Sequence, residues 1–269
     1  MKLALCQSAI EGGDVDGNVE RAREAVAEAA DAGADLVALP EIFNVGYFAF
    51  DLYERCAESV DGPTVTALAE SAREHGVAVL AGSIVEDMAA SRAAGVDTPE
   101  AEGLANASVF LDRTGERRAV YRKRHLFGYG SAEQELLTPG ESLPTVEFEG
   151  HVVGMTTCYD LRFPSLYRSL VDAGATLLLV PSAWPYPRVE HWKLFPRARA
   201  VENLCYVGAV NGVGSFEDAE LLGRSTVYDP WGTTLASAGD EAALVTAEVD
   251  RDRVAEVRAE FPALADRRN

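Results

Sequence analysis

The chain has 269 residues, 48% of them hydrophobic and 25% charged, which suits a folded globular protein and argues against a disordered or fibrous one. Asp and Glu number 43 against 24 Lys and Arg, a formal charge of −19, so phosphate backbones and anionic lipid are repelled and neither nucleic acid nor a membrane is expected as partner. Only Lys2, Lys123 and Lys193 are lysines, the rest having given way to arginine and acid, a halophilic balance suited to concentrated salt, where self-repulsion is screened.

The first predicted element is a strand over Lys2–Cys6, and no signal peptide is read before it. Val19, Ala22, Val26 and Ala29, spaced by three and four, predict an amphipathic helix that Gly33 closes. Leu36–Leu39 is wholly apolar and stops at Pro40, as a buried strand would. Pro63 suits a first helical turn and Gly76 a stop, predicting a helix over Pro63–His75. A strand over Val77–Val85 follows, then a polar, Ala- and Gly-rich surface excursion from Asp87 to Gly103. Ala107–Leu111 and Ala119–Arg122 predict a hairpin about Asp112–Glu116.

In the second half, Val146–Phe148 and Val152–Thr156 flank a tight turn at Glu149-Gly150. A helix is expected from Pro164 to just before Gly174, then a buried strand, Leu177–Val180, stopped by Pro181. Arg188–Asn203 reads as helix; Cys205–Val210, Ser225–Tyr228, Thr233–Ala236 and Leu244–Val249 read as strands, and Asp252–Glu260 as a last helix. No tandem repeat is present, but both halves run strand, helix, then an apolar strand ending in proline. One domain over residues 1–269 is expected, since no compositional break divides the chain.

No apolar run approaches the ~20 residues that span a bilayer. The cysteines, Cys6, Cys56, Cys158 and Cys205, share no short spacing, which argues against a zinc site and a disulfide framework and makes a reducing cytoplasm the default. His75, His125, His151 and His191 are widely separated, so no metal is expected. The Gly208–Gly214 run lacks the spacing of a dinucleotide fingerprint, so no cofactor is expected either.

Three segments place a reactive side chain just past a strand. Glu41, in Leu39-Pro40-Glu41-Ile42-Phe43, is surrounded by Ile42, Phe43, Tyr47 and Phe48; desolvation there would raise its pKa into the range of a general base. Lys123, in Tyr121-Arg122-Lys123-Arg124-His125-Leu126-Phe127, is one of the few lysines kept, and an ammonium can hold a developing oxyanion. Cys158, in Met155-Thr156-Thr157-Cys158-Tyr159-Asp160-Leu161-Arg162-Phe163-Pro164, sits between a strand and a helix, where backbone N–H groups favour a thiolate. Taken singly, the acid could cap a helix, the cations could line a solvated face, and the cysteine could be core. His125 is a rival base for a Cys–His pair.

Together these stretches resemble the nitrilase superfamily of carbon–nitrogen hydrolases. Pro181-Ser182-Ala183-Trp184, Arg197–Asn203 and Gly223–Gly232 extend the likeness nearly end to end. The resemblance implies an α/β fold, a four-layer α-β-β-α sandwich, and a Glu41–Lys123–Cys158 triad. Cys158 would attack a carboxamide, Lys123 and a backbone N–H near Tyr159 would hold the oxyanion, and Glu41 would carry the proton to the leaving ammonia. A second glutamate before Thr138-Pro139-Gly140 is implied, at Glu133 or else Glu135. Cys-Tyr-Asp and the run Ala183–Arg188 are similar to amidase-type members, and to ω-amidases in particular. For a carboxylate-bearing substrate Arg162 and Arg188 are candidate anchors, although Arg162 could instead pair with Asp160. Tyr47, Phe48 and Trp184 are candidates for an apolar wall, or for core. A nitrilase, an N-carbamoyl amine hydrolase, a non-catalytic protein of the same fold and a redox sensor at Cys158 are the alternatives. A homodimer or larger homo-oligomer is implied by the family alone.

Overall fold

The computed structural model describes residues 1–217 and 219–268. Its first half runs β1 (Lys2–Gln7), α1 (Val15–Asp31), β2 (Leu36–Ala38), α2 (Tyr53–Cys56), α3 (Pro63–His75), β3 (Ala78–Asp87), α4 (Met88–Ala93), β4 (Leu104–Leu111), β5 (Arg117–Arg122) and α5 (Glu133–Leu136). The second half runs β6 (Thr145–Phe148), β7 (His151–Met155), α6 (Pro164–Asp172), β8 (Leu177–Ser182), α7 (Val189–Asn203), β9 (Tyr206–Asn211), β10 (Val213–Phe216), β11 (Ala219–Leu222), β12 (Thr226–Tyr228), β13 (Thr234–Ser237), β14 (Ala243–Glu248) and α8 (Arg251–Glu260).

Two six-stranded sheets result, in the orders β14-β1-β2-β3-β4-β5 and β13-β12-β9-β8-β7-β6. Each has three parallel strands at its heart, β1, β2, β3 in one and β7, β8, β9 in the other, flanked by antiparallel strands. The similarity of the halves is thus a repeated strand–helix–strand–helix–strand unit.

Side-chain alternation along these strands builds the layers. In β1, Leu3 and Leu5 face Leu177 and Leu179 of β8 between the sheets, while Ala4 and Cys6 face outward onto Ala22 and Val26 of α1. In β8, Leu178 and Val180 face Leu170 of α6 and Ala200 of α7. Strands buried on both faces must be apolar throughout, which is why Leu36–Leu39 and Leu177–Val180 carry no polar residue. The result is the four-layer α-β-β-α sandwich that the resemblance implied.

Two expectations need correction and one hairpin is new. β8 does not stop at Pro181 but continues to Ser182. β7 pairs with it only as far as Leu179, so beyond that point only the β9 side is used and Pro181 needs no N–H on the free side. The stretch after Asp87 is not all surface excursion: it opens with α4, whose Met88 and Ser91 are buried, and Asp87 caps it by accepting from Ala90 N at 3.1 Å. The hairpin β10–β11 was not anticipated, because the glycine-rich run ahead of it masks its alternation. Among the described residues, no helix is long and apolar enough to cross a membrane.

Candidate active site

Glu41 leaves the C-terminal end of β2 through Pro40. The turn is possible because β3 carries Gly82 beside it: a Cβ there would lie 1.8 Å from the Pro40 carbonyl oxygen. Ser83 ties the turn down, its N–H donating to Pro40 O at 3.2 Å and its Oγ accepting from Ile42 N at 2.9 Å. The carboxylate is fully buried. Its Oε2 accepts from Ala183 N at 2.9 Å and its Oε1 from Asn106 Nδ2 at 2.8 Å.

Lys123 follows β5 and is pinned by its backbone, its N–H donating to Asn106 O and its carbonyl accepting from Gly140 N, both at 2.9 Å. Nζ lies 2.8 Å from Glu41 Oε1 and 2.8 and 2.9 Å from the two oxygens of Glu133. The three neighbouring cations have separate fates. Arg122 is buried and bidentate to Glu86 at 2.5 and 2.7 Å, Lys123 enters the site, and Arg124 is half-buried. Of the two candidate second glutamates, Glu133 reaches Lys123 and Glu135 is exposed. Glu133 Oε2 also accepts from Phe127 N at 2.6 Å and Tyr47 OH at 3.0 Å.

Cys158 follows β7 at φ 46°, a left-handed backbone that a non-glycine residue adopts at a cost of about 1–3 kcal/mol. A short 3₁₀ turn, Cys158–Arg162, continues from it. Asp160 holds that turn. Its Oδ2 accepts from Thr157 N at 2.9 Å and Tyr121 OH at 2.5 Å, and its Oδ1 accepts from His125 N at 3.1 Å and lies 2.7 Å from His125 Nδ1. One carboxylate therefore joins the cysteine turn to the segment carrying Lys123. His125 bonds Asp160 through Nδ1 and stacks on Phe163 with centroids 3.7 Å apart, and among the described residues no hydrogen bond joins it to Cys158.

The electrostatics follow from burial. Desolvation raises the Glu41 carboxyl above its ordinary range; the Lys123 ammonium opposes this and the Glu133 charge adds to it. Burial alone would favour a neutral Lys123 amine, but Glu133 and Glu41 hold it well above its ordinary value, as ammonium. Burial, then the Glu41 charge, push the Cys158 thiol well up. Burial first and the Glu41 charge second therefore favour the neutral thiol over the thiolate that the strand–turn–helix position favours, and a short 3₁₀ turn offers little dipole against them. The arrangement suits a thiol that loses its proton to a carboxylate as it attacks.

Lys123 and Cys158 border a cavity of about 220 Å³. That is below the roughly 300–1,000 Å³ typical of drug-sized ligands, which points to a small molecule. Tyr47, Phe48, Tyr159, Arg162, Trp184 and Arg188 line it as well. Tyr47 is buried with its ring 5.3 Å from Lys123 Nζ, so it belongs to the charged cluster as well as to the wall. Trp184 is held by Asn211 Oδ1, which accepts from its backbone N–H at 2.7 Å. Arg162 does not pair with Asp160, whose oxygens are already taken. Its guanidinium lies over Tyr159, Trp184 and Phe195, with Nη2 3.1 Å from His191 Nδ1. Arg188 lies over Phe127. Among the described residues neither arginine has a carboxylate partner within 4.0 Å.

Sequence reasoning missed Asn106, the brace role of Asp160 and the Ala183 N–H. Asn106 left a signal: it is an amide inside a strand that is otherwise almost apolar, where an unpaired polar group would be costly.

Comparison with known proteins adds to this geometry. The carbon-nitrogen hydrolase family model matches residues 2–259. The 2-oxoglutaramate amidase of Paenarthrobacter nicotinovorans is 37% identical over 239 residues, covering 87% of this chain and 79% of that one. The omega-amidase NIT2 of Homo sapiens is 34% identical over 276 residues, covering 100% and 95%. A CN-hydrolase superfamily protein from Xanthomonas campestris, solved with an arsenic adduct in its active site, superposes with a TM-score of 0.86 at 32% identity, covering 100% of this chain and 97% of that one.

Proposed function

This chain belongs to the carbon–nitrogen hydrolase family and is an amidase acting on non-peptide carbon–nitrogen bonds, and from that premise we propose that Cys158, Glu41, Lys123 and Glu133 carry out the reaction and that the substrate is a small ω-amide of a keto acid, such as 2-oxoglutaramate. Residues 1–269 act as one domain. The Cys158 sulfur attacks the amide carbonyl while the thiol proton passes to Glu41. The carbonyl oxygen, gaining charge, is held by Lys123 Nζ and a backbone N–H beside Tyr159. Glu41 then delivers its proton to nitrogen, the C–N bond breaks, ammonia leaves and a thioester remains. Water, deprotonated by Glu41, releases the carboxylate and restores the thiol. Glu133 fixes Lys123 and orients the substrate amide.

The observation that carries this reading is the Lys123 ammonium bridging Glu41 and Glu133 at 2.8 Å beside Cys158. The keto-acid preference is supported by the similarity to a 2-oxoglutaramate amidase and an omega-amidase and by Arg162 and Arg188 at the cavity, whose planar forks suit a substrate carboxylate. The test is intact mass spectrometry of acyl-trapped protein alongside ammonia release from 2-oxoglutaramate, neutral amides, N-carbamoyl amines and nitriles. An acyl adduct lost in Cys158→Ala, with 2-oxoglutaramate turned over fastest, is the expected result. An adduct elsewhere removes Cys158 from the chemistry; faster turnover of nitriles or carbamoyl amines replaces the substrate class.

Pairing of two copies is supported by exposed apolar side chains: Leu194 and Val201 seven residues apart on α7, and Trp231, whose neighbour Gly232 abuts Val201, with its ring 5.9 Å from that of Phe261. Sedimentation at micromolar concentration is expected to give at least a dimer, and a monomer there would remove the proposal.

A further inference from the structure

We infer that Asn106 is a positioning residue for the base: its side-chain amide, donating at once toward Glu41 and Glu133, fixes the Glu41 carboxylate and keeps it in the form that accepts a proton. This rests on Glu41 being the base.

The geometry is specific. Asn106 Nδ2 lies 2.8 Å from Glu41 Oε1 and 3.3 Å from Glu133 Oε1. Lys123 Nζ touches the same two oxygens, each at 2.8 Å. Amide and ammonium therefore stand on either side of a carboxylate pair and close a four-membered ring of donors and acceptors. Two carboxylates and one ammonium leave one negative charge uncompensated in a fully buried cluster. Neutral donors must meet the remainder. Asn106 is the one side-chain amide among the described residues that reaches both carboxylates.

Its placement agrees. Asn106 lies on β4, opposite Val85 of β3, and is fully buried. Its Oδ1 accepts no hydrogen bond from any described residue. A buried amide whose carbonyl is unpartnered is poorly explained as a packing element. Turning it over would aim Oδ1 at a carboxylate oxygen, so the orientation is set by the acids themselves. The titratable groups facing Glu41 come from several elements: Lys123 after β5, Glu133 on α5, Cys158 after β7 and Tyr47 from the loop after β2. Of these only Lys123 is cationic. Loss of a donor to an ionised carboxylate therefore favours its protonated form.

The test compares kcat/KM against pH for wild type, Asn106→Ala, Asn106→Ser and Asn106→Asp, with Glu41→Gln as control. A base must be ionised to act, so activity is lost as pH falls through its pKa, and a higher pKa moves that acid limb upward. Asn106→Ala should shift the limb up by about one pH unit and lower kcat about tenfold, with KM within about twofold. Asn106→Asp, isosteric and anionic, should shift it at least as far; Asn106→Ser, with a shorter donor, should shift it less. The rate of Cys158 alkylation by iodoacetamide, which needs no turnover, should follow the same limb. A folded Asn106→Ala or Asn106→Asp whose limb coincides with wild type overturns the inference. So does loss of fold in all three variants, which would make Asn106 a packing residue. If Glu41→Gln keeps near-wild-type activity, the base assignment has failed instead.

Discussion

The floor and the mouth of the cavity are built on opposite terms. On the floor, Glu41, Lys123, Glu133 and Asn106 are fully or almost fully buried, and each side chain is held by at least two hydrogen bonds. At the mouth, Tyr129 is 84% exposed, and Arg162 and Arg188 are half-buried with their guanidinium groups over aromatic faces. Covalent chemistry needs atoms placed to within a fraction of an ångström, so its groups are over-determined. Recognition of a small anion tolerates more freedom, and its groups keep unused donors. The lesson is that mutations on the two sides should fail differently, in turnover and stability below and in substrate binding above.

The largest effect expected is at Lys123. Lys123→Ala leaves Glu41 and Glu133 buried beside each other with no cation between them. Removing one partner of a buried pair costs about 3–5 kcal/mol, because the remaining charge is left uncompensated. The same change removes an oxyanion donor, worth roughly 10²–10³ in kcat. Denaturant midpoints and ammonia release should therefore fall together. A variant that lost turnover but kept its stability would break the comparison, since it would mean that the floor is not an electrostatically closed unit. Lys123→Met, which keeps much of the side-chain volume, separates packing from charge: it should be nearly as unstable if charge is the cause.

Legibility in the sequence divides along the same line. Glu41, Lys123 and Cys158, each just past a strand, could be read, because an apolar run stopped at Pro40 or a strand expected to end at Thr156 marks where a reactive side chain emerges from a sheet. The helix Pro63–His75 was legible for local reasons, proline at its start and Gly76 at φ 65° after its end. Groups whose role depends on distant partners were not. Asn106 meets Glu41 across 65 residues and Asp160 meets Tyr121 across 39. No local pattern reports such a meeting. Glu133 could be separated from Glu135 only by seeing which face of α5 turns inward. The same holds for the Cys158 thiol: strand–turn–helix suggests a dipole that favours the thiolate, whereas the burial and the Glu41 charge that oppose it are tertiary facts. At the mouth, residue types suggested a carboxylate anchor, yet pairing of Arg162 with Asp160 stayed equally open until His125, Tyr121 and Thr157 were seen to occupy that acid.

The smaller effect, and the sharper instrument, lies with the two arginines. Arg162 is framed by Tyr159, Trp184 and Phe195 at 5.8, 5.4 and 5.0 Å, which limits its access to water and fixes the plane of its fork. Arg188 has one ring beneath it, Phe127, at 5.5 Å. If they bind a substrate carboxylate, Arg162→Gln should raise KM for 2-oxoglutaramate about tenfold or more, the worth of a charged hydrogen bond, while leaving kcat within about threefold. Arg188→Gln should do the same more weakly, because its fork is less constrained. Neither should change kcat/KM for an uncharged amide of similar size. Arg162→Lys should not restore KM, since an ammonium keeps the charge but loses the bidentate geometry. A fall in kcat at constant KM would mean that these side chains act on the reacting atoms, and floor and mouth would no longer be separable. Equal losses on charged and uncharged amides would show instead that the arginines shape the cavity without reading charge, and the keto-acid preference would lose its physical support.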